Sequence, residues 1–128
     1  MVEEQTKQTM ILLIEDDEFL AELYSTKLKL EGFTVVLAND GEKGWKLAQE
    51  KLPDLILLDI IMPKMDGFEV LKKLKGHKAT KTVPVILLTN LSQKDEVKKG
   101  LELGAVDYLI KAHFMPSEVV KKIKEILV

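Results

Sequence analysis

The sequence predicts an α/β fold of the (βα)5 type, in which a parallel five-stranded sheet is covered by helices on both faces. Five short runs rich in Ile, Leu and Val recur along the 128 residues. Continuous apolar runs of this kind are typical of strands that are buried on both faces. The intervals between the runs show helical periodicity. This alternation of strands and helices favours a parallel sheet with right-handed crossovers.

The predicted strands are short and almost wholly aliphatic. They are Met10–Ile14, Phe33–Leu37, Leu55–Leu58, Val85–Leu88 and Val106–Ile110. Near-even spacing along the chain leaves room for one helix after each of them.

The predicted helices are marked by apolar stripes and by residues that favour helix ends. In the first, Leu20, Tyr24 and Leu28 recur four residues apart, and Leu23 and Leu30 widen the stripe. The inward positions of the later helices are Trp45, Leu47 and Ala48, then Phe68, Leu71 and Leu74, then Val97 and Leu101, and finally Val119, Val120, Ile123, Ile126 and Leu127. Predicted starts are Asp40, Asp66 and Ser92 as N-caps and Pro116 in a first turn, and predicted stops are Gly32, Gly76 and Gly104.

The composition excludes several classes of function. The chain has no cysteine, so disulfides, thiol nucleophiles and cysteine-bound zinc are ruled out. Its two histidines, His77 and His113, are too few for a multi-histidine metal site. A net charge of −2 gives no general attraction to nucleic acid or anionic membranes. We expect a cytoplasmic protein with a polar tail at residues 1–9 and one domain at 10–128.

Polar residues follow the predicted strands where ligands bind in open α/β sheets. They are Glu15, Asp16 and Asp17 after the first strand, Asp59 after the third, Thr89 and Asn90 after the fourth, and Lys111 after the fifth. Clustered carboxylates favour a hard cation such as Mg²⁺. With that cation, Asp59 becomes a plausible nucleophile toward a phosphoryl group, whose oxygens Lys111 and Thr89 can bind.

Four segments make the sequence resemble the receiver domain of bacterial response regulators, the phosphoacceptor of two-component signalling. They are ILLIEDDEFLAELY, PDLILLDIIMPKMDGFEVL, VPVILLTN and GAVDYLIK. The resemblance implies a flavodoxin-like, three-layer fold with strand order 2-1-3-4-5. It also implies that Asp59 accepts a phosphoryl group from a sensor histidine kinase or a phosphotransfer protein.

The same resemblance assigns roles to individual residues. Asp17 and Asp59 would bind Mg²⁺ directly, Asp16 would act through water, and the Ile61 backbone carbonyl would be a third protein ligand. Thr89 and Lys111 would bind the phosphoryl group, with the Asn90 amide as a further donor or as a group that narrows access. Thr89 and Tyr108 would then switch the surface of the fourth helix, fifth strand and fifth helix, which would control a partner or form a homodimer.

The chain departs from the family pattern after the fifth strand, where Ala112 follows Lys111 in place of the usual proline. A cis peptide is much less favourable without proline, so the loop here is expected to differ.

Two other functions compete with a signalling module. A phosphatase of the haloacid-dehalogenase type also uses an Asp nucleophile with Mg²⁺, but its second Asp is replaced here by Ile61. A flavodoxin-like cofactor binder needs a phosphate loop after the first strand, where this chain has three acidic residues. The sequence leaves open whether the chain is a stand-alone regulator or the receiver of a longer protein.

Overall fold

A computed structural model describes residues 8–62, 64–90, 94–111 and 116–127. The strands are β1 (Met10–Ile14), β2 (Thr34–Ala38), β3 (Leu55–Asp59), β4 (Val85–Thr89) and β5 (Asp107–Ile110). The helices are α1 (Glu18–Leu30), α2 (Gly41–Lys51), α3 (Gly67–Gly76), α4 (Lys94–Glu102) and α5 (Pro116–Leu127). All strand pairs are parallel, in the order β2-β1-β3-β4-β5, which confirms the predicted fold and strand order.

Aspartate side chains begin three of the helices. The carboxylate of Asp17 accepts a hydrogen bond from the Leu20 N–H at 3.1 Å, and Asp40 and Asp66 cap α2 and α3 in the same way. Each satisfies a backbone donor that would otherwise lack a partner at a helix start. The predicted caps Asp40 and Asp66 are confirmed, while Ser92 lies outside the described residues.

The sheet separates two hydrophobic cores, because successive side chains of a strand point to opposite faces. On one face, Leu12, Ile56 and Leu87 pack with residues of α2 and α3. On the other, Ile11, Leu57 and Ile86 pack with residues of α1 and α5, including Tyr24. Strands β1, β3 and β4 are therefore covered on both sides, as their sequences predict.

Some predicted inward positions face solvent instead. Leu23 and Leu30 are 41% and 77% exposed, so the buried stripe of α1 is narrower than predicted and runs through Ala21, Tyr24 and Leu28. Leu101 is 39% exposed and Leu127 36%. These leucines lie beside the stripe that packs on the sheet, where helical geometry turns a side chain away from the core.

Among the described residues, helix α4 has fewer buried positions than any other helix. Gly100 is its one buried residue, and a Cβ atom there would overlap the Leu87 side chain of β4. Glycine thus lets the helix backbone approach the sheet closely, but it contributes no side chain to the core.

Hydrogen bonds fasten the amino-terminal edge of the sheet. The Met10 N–H donates to the Asp54 carboxylate at 2.8 Å. The Lys75 ammonium at the end of α3 donates to the carbonyls of Lys81 and Val83 at 3.1 and 2.9 Å, and the Thr80 hydroxyl donates to the Leu74 carbonyl at 2.7 Å. The α3–β4 loop is therefore tied to its helix. Within the described residues, no helix is long and apolar enough to cross a membrane.

Candidate functional site

The strand register brings four chemically active residues to the carboxyl edge of the sheet. Asp59 is the last residue of β3 and pairs with Leu88, and Thr89 pairs with Ile110 of β5, directly before Lys111. Glu15 follows β1, where its N–H still donates to the Ala38 carbonyl at 3.0 Å. The direction of strand order reverses between β1 and β3, and the crevice outside the carboxyl ends of such strands is the usual ligand site of open α/β sheets.

One lysine joins the two buried carboxylates of this site. The Lys111 ammonium lies 3.0 Å from Asp59 Oδ2 and 2.8 Å from Glu15 Oε1. Both carboxylates are buried, with Asp59 4% and Glu15 1% exposed. Among the residues that the structure describes here, one ammonium therefore faces two carboxylates in a place that water reaches poorly.

The pKa values reflect this imbalance of charge. Burial, followed by the negative charge of Glu15, raises the pKa of Asp59 to about 7, although Lys111 opposes the shift. For Lys111, burial alone would lower the pKa, but the hydrogen bonds to Glu15 and Asp59 outweigh it and raise the pKa. The lysine is thus held as an ammonium. Because its one positive charge contacts two carboxylates, a further cation at the site would be bound favourably.

Carboxylate oxygens of Glu15, Asp16 and Asp59 lie within 4.8 Å of one another and form a group that could hold a metal ion. Such a set of oxygen donors suits Mg²⁺, which commonly uses few carboxylates and keeps several waters. The geometry therefore fits the predicted metal and includes two of its predicted ligands, Asp16 and Asp59.

The structure does not bring Asp17 into this group. Its carboxylate is directed to the start of α1, where it accepts the Leu20 N–H, and its own N–H donates to Glu15 Oε2 at 3.1 Å. The sequence predicted both Asp16 and Asp17 at the metal site, and the structure groups Asp16 and Asp59 with Glu15 instead of Asp17. Glu15 was placed at this edge from sequence but was not assigned to the metal. The spacing from Asp17 to Leu20, typical of an N-cap and its donor, was the signal that could have separated Asp17 from Glu15.

The other predicted residues surround the same edge. The Ile61 N–H donates to Asp59 Oδ1 at 3.3 Å, and the Ile61 side chain is 60% exposed. Thr89 is buried and its hydroxyl donates to the Asn90 carbonyl at 3.1 Å. Tyr108 is 40% exposed. Ala112 lies outside the described residues.

An apolar cavity of about 650 Å³ lies between α4 and β5. Its lining includes Thr89, Asn90, Val97, Leu101, Tyr108 and Ile110. The cavity therefore extends from Thr89, at the carboxyl edge of the sheet, to the surface formed by α4 and β5.

A sequence profile described as the response regulator receiver domain matches residues 11–124. The chain belongs to this family. The receiver domain is 41% identical over 117 residues to the Bacillus subtilis alkaline phosphatase synthesis transcriptional regulatory protein PhoP, covering 91% of this chain and 48% of that protein. The chain thus spans about half the length of this curated relative.

Solved structures agree with the assignment. A putative response regulator from Chloroflexus aurantiacus is 35% identical, with a TM-score of 0.89 and coverage of 94% of this chain and 98% of that one. The BeF3-activated N-terminal receiver domain of Klebsiella pneumoniae RstA is 29% identical, with a TM-score of 0.85 and coverage of 93% and 98%.

Family membership fixes the general role of this receiver domain. Receiver domains are signalling modules of two-component systems, and response regulators are phosphorylated by histidine kinases. They bind Mg²⁺ at an acidic pocket, and Glu15, Asp16 and Asp59 form such a pocket here. A signalling role gives no support to either alternative function, the haloacid-dehalogenase type phosphatase or the flavodoxin-like cofactor binder.

Proposed function

We propose that this receiver domain accepts a phosphoryl group on Asp59 from a phosphohistidine of a sensor kinase or phosphotransfer protein. The observation that supports this most directly is the contact of the Lys111 ammonium with Asp59 at 3.0 Å in a buried acidic site. A positive charge fixed beside a carboxylate is well placed to stabilise the charge of a phosphoryl group transferred to it.

In the proposed step, a carboxylate oxygen of Asp59 forms a bond to phosphorus as the phosphorus–nitrogen bond of the donor breaks. The product is an acyl phosphate, and the released histidine nitrogen is protonated. Lys111 binds one phosphoryl oxygen, and the Thr89 hydroxyl and Asn90 amide are the proposed donors to the others. These donors lie at the carboxyl ends of β4 and β5. Strand β4 is the neighbour of β3, which ends at Asp59, and β5 lies beyond β4.

Asp16 and Asp59 are the proposed protein ligands of Mg²⁺, with the Ile61 backbone carbonyl as a third and Glu15 in the surrounding shell. When bound, the ion neutralises negative charge on the carboxylates and phosphoryl oxygens. Glu15 holds Lys111 in place from the opposite side, at 2.8 Å.

The proposed output is a switch of the face formed by α4, β5 and α5. Thr89 would turn toward a phosphoryl oxygen, and the Tyr108 ring would move inward into the cavity that both residues line. A phosphoryl group can shift this equilibrium only by binding one arrangement more strongly than the other, and bonds to Thr89 and Lys111 supply that difference.

The partner of this face is an effector or a second copy of the chain. PhoP is named a transcriptional regulatory protein, but the present chain spans only 48% of it. We propose that residues 10–128 act as the receiver unit in the cytoplasm and do not bind nucleic acid or membrane directly.

The test is phosphorylation by acetyl phosphate in the presence of Mg²⁺, followed by peptide mass mapping. We expect one phosphoryl group on Asp59, none in Asp59→Asn, and normal labelling in Asp54→Asn, a matched change at the other end of β3. Labelling of Asp59→Asn at the wild-type level would refute the proposal. Turnover of phosphomonoesters would support the phosphatase alternative instead.

A further inference from the structure

The first turn of α3 rests directly on the backbone at the end of β3. The Gly67 N–H donates to the Ile60 carbonyl at 2.7 Å. A Cβ atom on Gly67 would lie 2.7 Å from the Ile60 Cα and would overlap the Asp59 carbonyl. No slack separates these segments, so a shift of the Asp59–Ile60 backbone must displace the start of α3.

Phe68, the residue after Gly67, links the start of α3 to α4. Phe68 is half-buried against the core of this face. The Lys99 ammonium of α4 lies 4.4 Å from the centre of its ring. A cation at this distance over an aromatic face is attracted by the ring quadrupole.

This contact adds to a lightly buried attachment of α4, in which Val97 packs against the core of this face and few other described residues are buried. Its one buried residue is Gly100, which seats the backbone against Leu87 but supplies no side chain. Its outer side borders the apolar cavity beside β5. With so little of the helix buried, we expect the loss of one favourable contact on its α3 side to loosen it measurably.

We propose that the Phe68–Lys99 contact is a latch that restrains α4 in the unphosphorylated protein, and that α3 links its release to Asp59. The proposal rests on phosphorylation of Asp59 as the proposed function. The Ile61 N–H donates to Asp59 Oδ1 at 3.3 Å. A phosphoryl group on this carboxylate would change that hydrogen bond, shift the Ile60–Ile61 backbone and so displace Gly67 and Phe68. This link is separate from the one through Thr89 and Tyr108, which runs along β4 and β5.

The test measures amide hydrogen exchange of residues 97–101 by NMR in Lys99→Met, Phe68→Leu and the double variant, with Mg²⁺ present. Each single change should accelerate exchange about 2- to 5-fold, the range implied by an exposed cation–π contact. The double variant should exchange no faster than the faster single variant, because both changes remove the same contact. Lys72→Met, at an exposed position of α3, is the matched control and should behave as wild type.

The second arm adds beryllofluoride, a phosphoryl mimic, and follows its binding at Asp59 by fluorine NMR. The latch variants should lose their difference in exchange from wild type. By linkage, they should also bind beryllofluoride about 2- to 5-fold more tightly, the same factor as in exchange.

Unchanged exchange in Lys99→Met, effects that multiply in the double variant, or a difference that persists with beryllofluoride would each overturn the latch. Since Lys99 is exposed, its variant remains informative even if Phe68→Leu disturbs folding. Failure of beryllofluoride to bind wild type at Asp59 would refute the proposed function and the latch together. Normal binding without an exchange effect would refute the latch alone.

Discussion

At the scale of single residues, the central feature is the sharing of one ammonium by two buried carboxylates. Lys111 contacts Glu15 and Asp59 within 3.0 Å of each. We expect Lys111→Met to bind Mg²⁺ roughly tenfold more tightly, because the competing cation is removed from a site of low effective dielectric. The same variant should be labelled by acetyl phosphate much more slowly.

Isothermal titration with Mg²⁺ and timed mass spectrometry measure these two effects. Lys122→Met is a suitable control, since Lys122 pairs with Asp107 away from the acidic edge. Weaker Mg²⁺ binding in Lys111→Met would contradict this account of the site.

Asp16 and Asp17 provide a second test at this scale. Asp16→Asn should weaken Mg²⁺ binding at least tenfold, because it removes a charged ligand atom of the acidic group. Asp17→Asn should change Mg²⁺ binding little, because Asp17 lies outside the acidic group. Its role as the N-cap of α1 is also kept, since asparagine caps a helix as well as aspartate does. An NMR titration of the two variants with Mg²⁺ compares them, and a larger loss in Asp17→Asn would restore the interpretation from sequence.

Ile61 bears on how long the phosphoryl group persists. Hydrolysis of an acyl phosphate needs a water aligned with the breaking bond, and Ile61 offers such a water no hydrogen-bonding side chain. We expect Ile61→Asn to lose phosphate roughly tenfold faster, about the effect of one added hydrogen bond in the transition state. Dephosphorylation with and without the change, at equal Mg²⁺, measures this.

Ile61→Leu serves as the apolar control and should resemble wild type. Leu91, predicted to shield the phosphate together with Ile61, lies outside the described residues, so Leu91→Glu is a separate prediction from sequence. Equal lifetimes in wild type and Ile61→Asn would exclude shielding by Ile61.

At the scale of elements, Gly100 sets the distance between α4 and β4. Gly100→Ala should lower the free energy of unfolding by about 1–3 kcal/mol, because the new methyl group overlaps Leu87 and overpacking outweighs the gain in helix propensity. Urea denaturation measures the change. In a Leu87→Ala background, Gly100→Ala should cost less stability than it does in the wild type, because the overlapping side chain is gone. An equal cost in both backgrounds would mean that the overlap with Leu87 is not the cause.

Elements also show what the sequence could predict. The strands were predictable because burial on both faces requires unbroken aliphatic runs, as in Leu55–Leu58. The width of the buried stripe on a helix could not be predicted in the same way. Leu23 and Leu30 lie next to the apolar stripe of α1 in the sequence pattern, and only the packing of α1 on the sheet leaves them exposed. The sequence also could not separate the roles of Glu15, Asp16 and Asp17, because adjacent carboxylates differ only in the direction in which the turn points them.

At the scale of the whole molecule, the acidic edge couples metal binding to stability. A ligand that binds only the folded protein raises the free energy of unfolding by about 2.7 kcal/mol at 100 times its dissociation constant. We therefore expect Mg²⁺ at that excess to raise the melting temperature of wild type by several degrees. Asp59→Asn should show a clearly smaller rise, because it loses a charged ligand.

Calorimetric scans of both proteins with Mg²⁺ and with chelator measure the difference. Asp54→Asn, which alters a carboxylate at the opposite edge, should respond as wild type does. Equal stabilisation of wild type and Asp59→Asn would show that the ion binds elsewhere.

The α3–β4 loop, which is hydrogen-bonded to the end of α3, offers a well-ordered attachment point for distance measurements. Lys75 and Thr80 bind this loop to α3 at the edge opposite Asp59. Because the chain has no cysteine, one introduced at the exposed Lys81 and another at the exposed Lys98 would be the sole attachment points for a fluorophore pair. Energy transfer between such dyes would report changes in the distance between α4 and this end of α3, one molecule at a time.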